Sequence, residues 1–278
     1  MKPLLGRSSA EYEVTFVRIA VYPLASGNNV SENFSAIRRG IHAAHQQGVR
    51  LLVFQECALS GYPPVEVEEI EEIDFKKIDS SFQELMVLAK EAEMYIALGT
   101  VRSSGEAYRN AIVLFGPTGD IVTIYDKRAL WGWDKDNFET GDSNGIISID
   151  GISVGFRICY EIRFPEYFRE MFSAGVSLCF VSFCDVARES DLERYEIIKA
   201  HLITRAAENV MTVVSVNSIS KCQTAPTAVF SPDGRVILEV KDQEEMLLVY
   251  DYEIPDRSFS GEGREQISRD MISTNVAR

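Results

Sequence analysis

Cysteine and histidine are scarce in this 278-residue chain, with five of the first and three of the second. An odd, scattered set (Cys57, Cys159, Cys179, Cys184 and Cys222) in a chain of this length excludes a disulfide framework and places the protein in a reducing cytoplasm. No CxxC, HExxH or other dense ligand spacing occurs, so no metal site is expected. No glycine-rich phosphate loop follows a strand pattern, and nucleotide binding finds no support. Cations are in deficit: 28 Lys plus Arg against 42 Asp plus Glu leave a net charge of −14. Such a surface repels phosphate backbones and anionic lipid, and no Lys/Arg cluster offsets it, so neither nucleic acid nor a membrane is an expected partner. The longest apolar runs, near 51–54 and 210–216, fall well short of the roughly 18 residues of a membrane-spanning helix. The opening segment MKPLLGRSSAEYE has no apolar core of a secretion signal, so secretion is not expected.

What is present is core material: 46% of residues are hydrophobic and 10% aromatic, ample for one large α/β domain. β-branched runs bounded by turn residues predict strands over 14–21, 51–54, 95–101, 111–115, 121–125, 146–149, 154–158, 176–183, 210–216, 227–230, 236–240 and 246–252. The PTGD and SPDG segments at 117–120 and 231–234 read as hairpin turns. Apolar residues at three- and four-residue spacing predict helices after residue 31, over 80–93, 165–172 and 190–208. The first has Ser31 or Asn33 as its cap and Phe34, Ile37, Ile41 and Ala44 as its stripe. Six acidic residues between Glu66 and Asp74 read either as a solvated face or as a charged rim beside a site. Strands alternating with helices and interrupted by hairpins indicate a single α/β domain with mixed sheets, its core over about 14–252. The polar segment 253–278 is expected to pack only against something outside that core.

Ligands of open α/β sheets bind beyond the carboxyl ends of strands, and five polar or reactive residues fall there: Glu56, Lys127, Cys159, Asp185 and Asn217. A cysteine nucleophile needs a base or a cation to favour its thiolate. The histidines do not offer one, because His42, His45 and His201 lie inside predicted helices. Glu56 as base and Lys127 as cation are the convergent alternatives. Cys57, Cys179 and Cys184 read as small core residues, with Cys57 pointing away from Glu56 if its strand continues, and Cys222 as a loop residue.

The segments FQECALSGYPP at 54–64, YDKRALW at 125–131 and GFRICYEIRFPE at 155–166 resemble, in order and spacing, the three signature segments of the nitrilase superfamily of carbon-nitrogen hydrolases. TRAAEN at 204–209, VNS at 216–218 and TAVFSPDG at 227–234 extend the resemblance over about 14–252. It implies a four-layer α-β-β-α sandwich with two mixed sheets, needing no metal or organic cofactor. The chain would act as a homodimer or larger even-numbered assembly in which 253–278 forms a dimer arm. It also implies Glu56 as general base, Cys159 as nucleophile, and Lys127 with the Tyr160 backbone N–H beside the oxyanion. Three positions depart from the family pattern: Tyr22 where Gln is frequent, QTAPT at 223–227 where a Gly-x-Ser stretch is frequent, and an aspartate for the usual second glutamate. That aspartate, Asp134 in WGWDKDNFETG, serves either as the helper acid or as a structural or solvated residue.

Arg163 resembles the CYxxRFPE pattern of members acting on ω-amides of dicarboxylic acids; it would pair with a substrate carboxylate or, internally, with Glu161 or Glu166. Phe183, Cys184, Asp185 and Arg188 line the pocket or pack at the strand end, and Tyr195 lies where relatives place an aromatic. The implied activity is release of ammonia from a small linear amide through a thioester, with ω-amides favoured. N-carbamoyl compounds are the rival substrates, nitriles rank lower, and ammonia channelling would require a partner chain. A catalytically silent binding protein on the same fold is the alternative of a different class. The two classes separate on thiol chemistry: the enzyme reading expects Cys159 to be acylated by an amide or alkylated faster than the other four thiols, as peptide mass spectrometry would show, and uniform labelling favours the silent protein.

Overall fold

A computed structural model describes residues 16–105, 107–241 and 244–276. In chain order the elements are β1 (Val17–Val21), α1 (Val30–Gln46), β2 (Leu51–Val53), α2 (Phe75–Glu91), β3 (Tyr95–Ser104), β4 (Ala107–Phe115), β5 (Ile121–Asp126), α3 (Trp133–Asn137), β6 (Ile146–Ile149), β7 (Ile152–Ile158), α4 (Pro165–Ser173), β8 (Leu178–Phe183), α5 (Leu192–Asn209), β9 (Thr212–Asn217), β10 (Ala228–Phe230), β11 (Val236–Glu239), β12 (Leu248–Tyr252) and α6 (Phe259–Val276). A 3₁₀ turn, Cys159–Arg163, joins β7 to α4.

The strands form two six-stranded sheets, ordered β12-β1-β2-β3-β4-β5 and β11-β10-β9-β8-β7-β6. Each has a parallel centre (β1-β2-β3 in one, β7-β8-β9 in the other) extended by antiparallel strands on both sides. Side-chain alternation explains how they stack. In β8, Phe180 points into the layer between the sheets with Ile19, Val53 and Phe156, whereas Cys179, Val181 and Phe183 point the other way against Phe168, Ile198 and Leu202 of α4 and α5. On the far side, Ala20, Leu52, Ile96 and Leu98 pack against Phe34, Ile37, Ile41 and Leu85 of α1 and α2. Three apolar layers thus separate four layers of structure, an α-β-β-α sandwich. Strands buried on both faces read as unbroken apolar runs, as LCFVSF does. Among the described residues no helix is long and apolar enough to cross a membrane.

Several boundaries differ from those expected. The cap of α1 is Asn29, whose Oδ1 accepts the Ser31 and Glu32 amides at 3.0 and 3.3 Å, not Ser31 or Asn33; Asn33 is buried and donates to the Gly27 and Leu59 carbonyls. Helix α2 starts at Phe75, before the expected residue 80, because Asp74 accepts the Lys77 amide at 2.9 Å and so caps it. Val210 is no strand residue: at φ 49° it closes α5 in the left-handed conformation. Residues 14 and 15 of the first predicted strand lie outside the described residues. Polar composition hid α6, and its expected lack of contact with the core is corrected. Arg264 donates to the Ala207 carbonyl at 2.9 Å, Arg269 lies over the Phe172 ring, and Ile272 packs beside the α4–α5 core.

Gly99 on β3 shows how tightly the β2 turn is seated. A Cβ there would stand 2.1 Å from the Gln55 carbonyl oxygen and 2.8 Å from the Glu56 Cα, inside any permitted contact. Gly99→Ala is therefore expected to destabilise the fold by about 3 kcal/mol through backbone displacement, a loss that urea unfolding would read.

Candidate active site

The parallel strands of both sheets end at one edge of the sandwich, and the site is assembled from the turns beyond them. After β2 the chain runs through Gln55, whose side-chain amide donates to the Leu24 carbonyl at 2.8 Å, to Glu56. It then reverses at Cys57, which takes φ 52°. That conformation corrects the expected continuation of the strand through Cys57; the thiol is nevertheless buried, 3.7 Å from Asn110 Oδ1. Lys127 follows β5 and is held by its own N–H to the Asn110 carbonyl at 2.8 Å and by the Gly141 N–H to its carbonyl at 3.0 Å. Cys159 follows β7 at φ 44°, a strained position for a residue with a side chain, of the kind that clusters at functional sites.

These turns bring a buried charge array together. Lys127 Nζ lies 2.8 Å from Glu56 Oε1 and 2.7 Å from Asp134 Oδ2, and all three residues are nearly inaccessible to water. Glu56 Oε1 also accepts from Asn110 Nδ2 at 2.7 Å, and its Oε2 from the Cys184 N–H at 2.9 Å, so a residue of the second sheet orients a carboxylate of the first. Asp134 reaches Lys127 because Gly132, at φ 58°, starts the short helix α3. Its other oxygen accepts the Tyr62 hydroxyl at 2.7 Å. Cys159 keeps partial exposure and interacts electrostatically with Glu56, Lys127, Asp185 and Asp134.

The electrostatics follow from burial and charge. Burial pushes the Cys159 thiol well above its ordinary range, and Glu56 adds to the rise while Lys127 opposes it. Burial works against the Lys127 ammonium, but Glu56, the Cys159 sulfur, Tyr62 and Asp134 outweigh it and hold the group well above the usual lysine range. The site thus contains a protonated thiol beside a permanent cation.

Four groups at this edge escape sequence reasoning. Asn110 and Tyr62 sit in recognisable contexts, a polar residue inside an apolar strand and the GYPP segment. Glu66 is the one member of the acidic run that turns inward, accepting from the Tyr62 N–H at 2.9 Å and Ser26 Oγ at 2.9 Å, while Glu68, Glu69, Glu71, Glu72 and Asp74 are solvated. Glu161 is buried and accepts from the Tyr125 hydroxyl, the Arg128 N–H and the Ile158 N–H, each at 2.7 Å.

The remaining candidates are distributed unevenly. Tyr160 follows Cys159 in the first turn of the 3₁₀ segment, where amides have no preceding turn to bond, and its ring meets Phe164 edge-on. Among the described residues no ion pair joins Arg163 to Glu161 or Glu166; its guanidinium lies over the Tyr160 ring, 5.7 Å from the centroid. Phe183 is not in the cleft: it is fully buried on the helix side of β8. Asp185 is buried and paired to Arg194 at 2.5 Å, with Thr224 Oγ1 donating at 2.7 Å. Asn217 braces the same loop, donating to the Asp185 carbonyl. Tyr195 donates to Glu239 of β11 at 2.8 Å and belongs to a network with Lys199, apart from the charge array. Arg188 meets the Cys222 thiol through its carbonyl. Among the described residues no group of three or more His, Cys, Asp or Glu side chains is arranged to hold a metal ion.

The model of the carbon-nitrogen hydrolase family matches residues 18–256. The chain is 28% identical over 197 residues to a 2-oxoglutaramate amidase of Bacillus subtilis (strain 168), covering 68% of this chain and 73% of that protein. It is 26% identical over 200 residues to an (R)-stereoselective amidase of Pseudomonas sp, covering 70% of each. An omega-amidase of Bos taurus is 29% identical over 160 residues, covering 54% of this chain and 56% of its own. Among solved structures, an amidase from Nesterenkonia sp. AN1 superposes with a TM-score of 0.79 at 21% identity, covering 95% of this chain and 97% of that one, a likeness of fold.

Charge at the array sets the thiol's ionisation with a defined sign. Asp134→Asn removes a negative neighbour and is expected to move Cys159 ionisation to lower pH; Lys127→Met removes the cation and is expected to move it higher. Absorbance at 240 nm against pH, taken as a difference from Cys159→Ala, reads both. Lys127→Met is further expected to lose about 3–5 kcal/mol of stability by stranding two buried carboxylates.

Proposed function

The chain belongs to the carbon-nitrogen hydrolase family, and from that premise we propose that it is a cysteine-dependent amidase, cytoplasmic, releasing ammonia from a small linear amide through a thioester on Cys159. The observation that carries the reading is the buried Glu56–Lys127–Asp134 array set against a cysteine in a left-handed turn.

Because burial keeps the thiol protonated, attack requires a base in the same step. Glu56 takes the thiol proton as Sγ forms its bond to the amide carbon. The carbonyl electrons move onto oxygen, facing Lys127 Nζ and the Tyr160 N–H. Collapse breaks the C–N bond, and Glu56 returns the proton to the leaving nitrogen, releasing ammonia. Glu56 then takes a proton from water, hydroxide adds to the thioester, and collapse expels the Cys159 sulfur, which regains a proton and leaves the carboxylic acid. Asp134 holds Lys127 in the position that serves both tetrahedral intermediates.

The preferred substrates in this reading are ω-amides of dicarboxylic acids. Arg163 has no internal carboxylate partner among the described residues, and the Bacillus and Bos taurus relatives are a 2-oxoglutaramate amidase and an omega-amidase. Asp185 would act on the pocket through its charge near Cys159 and the loop it fixes, and Tyr195 only through the tie between α5 and β11. The functional unit in this reading is a pair of chains, a proposal supported by the apolar side chains Phe259, Ile267 and Met271 that α6 leaves exposed.

Ammonia release from a panel of ω-amides, aliphatic amides, N-carbamoyl compounds and nitriles tests this. Turnover of the ω-amides, abolished by Cys159→Ala and lowered roughly 100-fold to 10,000-fold by Glu56→Gln, is the expected result. Arg163→Met is expected to raise KM for ω-amides about 10-fold or more while leaving aliphatic amides unchanged. Activity that survives Cys159→Ala overturns the mechanism.

A further inference from the structure

Asp134 holds Lys127 with a side chain one methylene shorter than a glutamate would offer, from a helix of only five residues. One of its oxygens contacts the ammonium at 2.7 Å; the other would be a buried acceptor without a donor were it not for the Tyr62 hydroxyl, also at 2.7 Å. The Tyr62 ring meanwhile turns its face to the same ammonium, with Nζ 5.7 Å from the centroid. Tyr62 therefore touches both members of the ion pair, one by hydrogen bond and one through its π face.

The tyrosine is itself fixed. Its N–H donates to Glu66 Oε2 at 2.9 Å, and Glu66 Oε1 accepts from Ser26 Oγ at 2.9 Å and Ser218 Oγ at 3.3 Å. Ser26 lies in the loop after β1 and Ser218 just past β9, so one carboxylate joins loops of both sheets behind the tyrosine. Burial also keeps the phenol protonated over the working range, so that it always donates. Hydrogen bonds thus tie Ser218 to Glu66 and Glu66 to the Tyr62 backbone, and from the far end of that residue the hydroxyl leads through Asp134 and Lys127 to Glu56.

We propose that Tyr62 is a positioning residue for catalysis: its hydroxyl locks the Asp134 carboxylate onto Lys127, and Glu66 holds the tyrosine in place. This rests on the reading of Glu56, Lys127 and Cys159 as the reacting groups. A carboxylate released by loss of the hydroxyl rotates away from Lys127, and the ammonium then moves toward Glu56, its other anion. The consequence falls on the reacting step and leaves substrate binding largely untouched.

A double-mutant cycle separates this from a packing role. Tyr62→Phe keeps the ring and removes only the hydroxyl; it is expected to lower kcat for the preferred amide about 10-fold with KM within about 2-fold, and to lower the unfolding midpoint because one buried Asp134 oxygen loses its donor. In an Asp134→Asn background the same change is expected to cost less than about 2-fold, because the group it acts through is already gone. If Asp134→Asn does not fold, Asp134→Ser takes its place. Losses that multiply in the double variant, a loss confined to KM, or no loss in Tyr62→Phe each overturn the proposal. The same cycle read in the rate of Cys159 alkylation by iodoacetamide needs no substrate. If the unaltered enzyme turns over none of the panel, the amidase reading fails, and the alkylation cycle still decides on Tyr62: coupling between the two positions upholds it and additivity overturns it.

Discussion

One ammonium buried between two carboxylates organises this protein. A charge removed from water costs several kcal/mol unless its partners are close and their remaining valences are filled. Lys127 meets that condition through Glu56 and Asp134, and each partner in turn needs its own donors: Asn110 and the Cys184 N–H for Glu56, Tyr62 for Asp134. The demand propagates outward into the backbone. Gly99 lets the Glu56 turn lie against β3, and Gly141 lets the chain beyond α3 lie against Asp126, where a Cβ would stand 2.2 Å from its carbonyl oxygen. A single cation thereby specifies residues on five separate segments.

The array also joins the two sheets. The Cys184 N–H reaches Glu56 from the end of β8, and Ser182 Oγ on the same strand donates to the Phe54 carbonyl at 3.0 Å. Glu161 runs the opposite way: it lies two residues past Cys159, and its carboxylate gathers the Tyr125 hydroxyl and the Arg128 N–H from the end of β5 as well as the Ile158 N–H at the end of β7. Polar ties therefore cross between the sheets in both directions at this edge, where apolar packing stops.

Most of this architecture is legible in the amino-acid sequence, since burial on both faces writes strands as continuous apolar runs and burial on one face writes α1 and α2 as stripes. Glu56, Lys127 and Cys159 are legible for a simpler reason: each is a reactive residue just past a strand end. The misreadings have local physical causes. Asn29 and Asp74 cap their helices by side-chain acceptance, which several neighbouring polar residues could have performed equally well. Phe183 follows the strand's alternation to the helix side, a direction that a strand-end position does not reveal. The roles of Tyr62, Asn110, Glu66 and Glu161 depend on partners 36 to 152 positions away in the chain as well as on near neighbours, and no local pattern encodes the distant ones. Helix α6 is hard to read because its polar sequence rests on α5 chiefly through arginine contacts, with Ile272 as a single apolar anchor and no apolar stripe.

The layer of side chains between the sheets sets more than stability. Cys159 is delivered by the second sheet, Glu56 and Lys127 by the first, so the spacing of the sulfur from the Glu56 carboxylate and the Lys127 ammonium follows the thickness of the slab that Val53, Phe156, Phe180 and Val216 build between them. Close-packed interiors transmit volume changes as displacement. A methyl group added or removed deep in that slab acts as a wedge or a gap at the hinge of a vice whose jaws carry the thiol and the charge array. Residues without a polar atom thus tune the distance between the Cys159 thiol and the charge array from the middle of the slab.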